Sequence, residues 1–255
     1  MTITSELREF YDERRDEIRD YLNLLRAVET AAGSGAPRIR EARAGEASYP
    51  ITAPQQRILY ASVYLQLYNL VEAVVTRCIG AVADAAATNS RWRPVDLNEN
   101  LRREWVRHAA RTHIDLTPEN RLKSAMKMCN DLVGQLPLVD LQIDPGGGGN
   151  WDDEAIYKLS ERLGCRLTLS RSTTYAVKRP VRDGLGAMKL VKDRRNSLAH
   201  GSISFTECAD GVTVSELESM TGAVEAYLAE AVGCFTSYID VFEFLAETSR
   251  PDGKP

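Results

Sequence analysis

Apolar residues recur at three- and four-residue spacing through most of the chain, and that spacing predicts helices. The first runs over residues 5–29, with Leu7, Phe10, Tyr11, Ile18, Tyr21, Leu22, Leu25 and Val28 on one face. Residues 31–50 are rich in Gly, Ala and Pro and read as a loop. A second, longer helix over residues 54–86 starts at Pro54 and is apolar on nearly all sides at its middle, as a central helix must be. Glu72 interrupts that stretch, so it needs a polar partner or a cleft. Further helices are predicted over 96–112, over 117–133 from the N-cap Thr117, and over 151–163 with acids in the first turn.

The pattern breaks at residues 135–150, QLPLVDLQIDPGGGGN, and alternates over Cys165 to Ser170, which predicts a short strand. Residues 135–178 therefore read as an insertion or small subdomain in one helical domain spanning 1–255. A helix over 181–199 follows and stops at Gly201. FTECADGVTV then reads as a β-hairpin turning at Asp210-Gly211. A capping box at Ser215 to Glu218 opens a last helix reaching Glu247, and residues 249–255 form a disordered tail. The fold class is mainly α: a helical bundle with a small mixed insertion and a short hairpin.

Composition narrows the function classes. The formal net charge is −4, which does not mark a global polyanion binder, yet residues 178–195 hold seven basic side chains against two acidic ones. The five cysteines are scattered with no CxxC pair, against a disulfide framework or a cysteine zinc site. The polar start MTITSELREFYDERRDE predicts no leader peptide, and no long apolar run predicts a membrane span, so the expected location is cytoplasmic.

Several clusters have ordinary readings. Glycines 146–149 lack a Walker lysine and precede three acids, so they read as a turn rather than a phosphate cradle. His108 and His113 are five apart where a helical metal pair needs four, and Asp152, Asp153 and Glu154 match the preference for acids at a helix start. No metal or cofactor is expected.

The stripe Val181, Leu185, Met188, Val191, Arg195, Leu198 is different, because one member is an arginine. His200 follows five residues later, and Asn196 lies between. Arginine can fork two bonds to a phosphate, and histidine can exchange a proton with a ribose 2′-hydroxyl. At about 100° per residue, however, Arg195 and His200 diverge by roughly 140° on an ideal helix. Either the helix unwinds there or a second copy completes the site. A dipole-stabilised histidine beside a structural ion pair remains the other reading.

These residues resemble the HEPN superfamily, whose hallmark is an arginine, four to six residues, then a histidine at the end of a bundle helix. RRNSLAHGSISFTEC, GGGGNWDDEAIYKLSERLG and YLQLYNLVEA are similar, in this order, to the MAE-type HEPN-like nuclease family. The resemblance implies an up-and-down helical bundle that forms a homodimer through its motif helices. It implies a metal-independent endoribonuclease of a toxin–antitoxin or phage-defence system, with an antitoxin protein as a possible partner. His200 would be the acid/base, Arg195 the phosphate clamp, Asn196 an orienting group and Glu72 a polar support. Lys189, Lys192 and Arg194 are assigned to RNA steering from their charge alone. An inactive scaffold that dimerises and binds a protein or nucleotide is the alternative.

Overall fold

The computed structural model describes residues 2–33, 35–40, 48–111, 115–146 and 149–251. Among these the chain forms α1 (Ile3–Gly33), β1 (Arg38–Arg40), β2 (Ser48–Pro50), α2 (Ala53–Ala87), α3 (Glu99–Ala110), α4 (Pro118–Val133), α5 (Asp153–Leu163), α6 (Arg171–Lys178), α7 (Ala187–Ala199), α8 (Phe205–Cys208) and α9 (Val214–Asp240). The mainly α expectation holds.

The bundle is built around α2, which packs against α1, α7, α8 and α9. Its sequence explains this. Tyr64, Leu67, Tyr68, Leu70, Val71, Val74 and Val75 are all buried, and they point to more than one side of the helix. A capping box fixes its start, with Thr52 accepting from the Gln55 backbone and Gln55 from the Thr52 backbone. Long helices α1 and α9 close the core with Leu7, Leu25, Leu217, Val224, Leu228 and Phe235. Each such side chain contributes about 1.5–3 kcal/mol on burial. Residues 135–178, expected as an insertion, pack Leu141, Trp151, Ile156, Leu163 and Val177 into the same cluster.

The motif helix is shorter than the periodicity predicts. It spans Ala187–Ala199, not 181–199. Asp183 and Gly184 both have positive φ, and Val181 donates to the Leu185 carbonyl at 2.8 Å. That tight turn cannot belong to a helix. Arg182 anchors it through Glu216 at 2.9 Å and the Asp210 and Gly211 carbonyls.

Other expectations are corrected. Among the described residues no hairpin follows the motif helix. Ser204 and Glu207 form a capping box that opens α8, and Asp210-Gly211 turns the chain into α9. A short antiparallel pair does occur, but between β1 and β2, inside the stretch expected to be loop. Cys165 to Ser170 forms no strand among the described residues, and Ser170 caps an unforeseen helix, α6. The α9 cap is Thr213 rather than Ser215.

That last helix ends at Asp240 instead of Glu247. Phe242 turns at φ 56°, and the apolar positions beyond it serve a different cluster: Phe242 and Phe244 pack edge-on against Trp92. Of the expected tail, 252–255 lie outside the described residues, whereas Ser249 ends a 3₁₀ turn and bonds Asp96 at 3.2 Å.

Candidate functional site

Three segments meet at the C-terminal half of α7: α7 itself, the middle of α2, and residues 149–151. Buried Met188, Leu190, Val191 and Leu198 hold α7 in the core, and this turns Arg195 toward α2. The Arg195 guanidinium lies over the Tyr68 ring, 3.6 Å from its centroid. Its Nη2 donates to the Gly149 carbonyl at 2.8 Å and its Nη1 to Asn196 Oδ1 at 2.8 Å. Glu72 Oε2 is 3.6 Å from Nη2. The arginine side chain is only 24% exposed, so the apolar-stripe position is explained: one face is covered by a ring and the edges are satisfied by acceptors. The Glu72 side chain is 46% exposed, and such a pair is worth no more than about 1 kcal/mol.

Tyr68 also ties the loop. Its hydroxyl donates to the Gly149 carbonyl and accepts from the Trp151 backbone N–H at 3.0 Å. Burial raises the Tyr68 pKa, with the Trp151 bond and the Arg195 charge opposing, so the hydroxyl stays protonated and able to donate. Gly149 has φ +74°, and an added Cβ would lie 3.2 Å from Glu72 Oε1. Only glycine fits there without strain.

Asn196 turns to this loop rather than to the histidine. Its Nδ2 donates to Asn150 Oδ1 at 2.9 Å. His200 is the C-cap of α7, with φ −89° and ψ −1°. It continues the helical path, so the angular divergence from Arg195 stands. Gly201 at φ +67° donates to Leu198 at 3.2 Å, and Ser202 donates to Ser197 at 2.9 Å. These bonds satisfy the last carbonyls and end the helix where the histidine emerges. The His200 side chain is exposed and makes no hydrogen bond or ion pair among the described residues.

The three expected RNA-steering residues have different settings. Lys192 bonds Asp152 in a part-buried pair. Burial opposes charge on both, but the mutual hydrogen bond, the attraction between the two charges and, for Asp152, the Ala155 backbone bond together outweigh it: the Asp152 carboxyl is held below its ordinary value and the Lys192 ammonium above. Arg194 pairs with Asp183. Lys189 is exposed and has no acidic partner within ion-pair distance among the described residues. It lines a groove of about 610 Å³ with Tyr157, Leu167, Val177 and Tyr227.

Asp152 is the N-cap of α5, accepting from Ala155 at 2.9 Å, so the acidic triplet starts a helix as expected. His108 faces Asp140 at 3.7 Å, while His113 lies outside the described residues. Of the glycine run, 147 and 148 also lie outside them.

Sequence reasoning missed Tyr68, Gly149 and Asn150. Tyr68 had a local signal, since it sits four residues before Glu72 and shares its helix face. The contact between residues 149–150 and 195–196 had none, because 46 positions separate the partners.

A search of curated proteins and one of solved structures return no match. A family model described as HEPN_MAE_28990-like HEPN matches residues 3–244.

Proposed function

The chain belongs to the MAE_28990-like HEPN family, and from that membership we propose that it is a metal-independent endoribonuclease whose site is completed across a homodimer. The observation that carries this reading is the end of α7, where a rigidly held Arg195 and an exposed, unengaged His200 occupy one helix but point apart. In the proposed reaction His200 takes the proton of a ribose 2′-hydroxyl. That oxygen attacks the adjacent phosphorus, the P–O5′ bond breaks, and the protonated His200 returns its proton to the leaving 5′-oxygen, giving a 2′,3′-cyclic phosphate and a 5′-hydroxyl. Arg195 offsets charge on the phosphoryl oxygens. Asn196 steadies the guanidinium through its 2.8 Å bond. Glu72 is a polar support. Across a two-fold axis, Arg195 of one copy would face His200 of the other, which resolves the angular problem.

The cellular setting we propose is a toxin–antitoxin or phage-defence system, with an antitoxin protein restraining the nuclease. The test is incubation of the pure protein with cellular RNA in chelator, followed by end-group analysis. Cyclic phosphate ends support the proposal, and strict dependence on added metal contradicts it. The competing reading is an inactive scaffold that dimerises and binds a protein or nucleotide; in it Arg195 keeps its contacts to Tyr68, Gly149 and Asn196 and never meets a phosphate.

A further inference from the structure

We propose that Tyr68 is the positioning residue of the site, presenting Arg195 to an RNA phosphate; this rests on the ribonuclease reading. Arginine has a long side chain with several rotatable bonds, and holding it in one place costs entropy that a phosphate would otherwise have to supply. Here that cost is met before substrate arrives. The Tyr68 ring covers one guanidinium face at 3.6 Å, which sets the plane of the fork. The Gly149 carbonyl at 2.8 Å sets its rotation within that plane.

The same tyrosine fixes that carbonyl. Its hydroxyl donates to Gly149 O and accepts from the Trp151 N–H at 3.0 Å, so ring and loop form one unit. Tyr68 itself is 2% exposed and cannot touch RNA. It acts only through Arg195. The acceptors now on Arg195 are neutral, apart from Glu72 at 3.6 Å. A phosphate is charged and can compete for the outer edge of the fork while the ring holds the inner face.

The test measures affinity of a fluorescein-labelled single-stranded RNA against salt concentration, in a His200→Ala background that does not cut it. Arg195→Ala should weaken binding about tenfold and flatten the slope of log affinity on log salt by about 0.7, the value of one phosphate contact. Tyr68→Leu should do the same, and adding it to Arg195→Ala should cost nothing further. Tyr68→Phe keeps the ring but releases the Gly149 carbonyl, so it should keep the slope and lose less affinity than the leucine variant. Tyr68→Met fills much of the volume without a π face, and it carries the test if the leucine variant does not fold.

A merely structural tyrosine would lower the binding-competent fraction and leave the slope unchanged, so a wild-type slope in the leucine or methionine variant overturns the proposal. So does an additive double variant. Tighter binding without the ring would show that Tyr68 sequesters Arg195, which also overturns it. If the Tyr68-intact protein has no affinity for RNA, the ribonuclease reading fails as well.

Discussion

The Nη2 of Arg195 and the carbonyl of Gly149 are joined at 2.8 Å, although 46 positions separate them in the chain. This bond brings the glycine-rich segment onto the motif helix. It makes the candidate site a composite of α2, α7 and a loop rather than a property of one helix.

The basic stretch should divide into residues that steer RNA and residues that hold the fold. Lys189 is exposed and within ion-pair distance of no acid among the described residues, so Lys189→Ala should flatten the salt dependence of RNA binding by about 0.7 and leave the melting temperature in place. Lys192 is 18% exposed in its side chain and bonded to Asp152, so Lys192→Ala should cost about 1–3 kcal/mol of stability instead. Thermal melts beside binding isotherms separate the two effects.

Acid should weaken the Asp152–Lys192 link. Hydrogen bonds from Lys192 and Ala155 hold the Asp152 carboxyl below its ordinary value near 3.8, against the opposing effect of burial. Its contribution is fully present above that ordinary value and is lost as pH falls below it toward the depressed one. Asn is an equally good N-cap, so Asp152→Asn isolates the charge. The variant should melt below wild type at pH 7, and the gap should narrow toward pH 3. A gap independent of pH would contradict this.

The bundle was legible because α1, α2 and α9 carry long apolar faces that only burial satisfies, and the Arg195–His200 pair was legible because it is local. The end of α9 was not. Phe242 and Leu245 continue the helical spacing, but they belong to a turn that packs on Trp92 and pairs with Leu97. The expected hairpin failed for a related reason. Asp210-Gly211 does turn the chain, but the Ser204 and Glu207 capping box had already committed the preceding residues to helix. At the site, Tyr68 went unnoticed, since its partners come from residues 149–151 and 195.

A composite dimer makes a specific demand on mixed subunits. A heterodimer of one His200→Ala chain and one Arg195→Ala chain retains one complete site, formed by the intact Arg195 of the first and the intact His200 of the second. Differentially tagged and purified, it should recover about half of the wild-type rate, while each parent homodimer is inactive. A heterodimer as inactive as its parents would place both groups of one site in the same chain.

The most direct measurement is single-turnover cleavage of a labelled RNA by purified wild-type protein and by His200→Ala, in chelator, with circular dichroism showing both folded. Removing the general base should slow cleavage at least ~100-fold. Cleavage by His200→Ala at the wild-type rate would contradict the assignment of His200 and the ribonuclease site built on it.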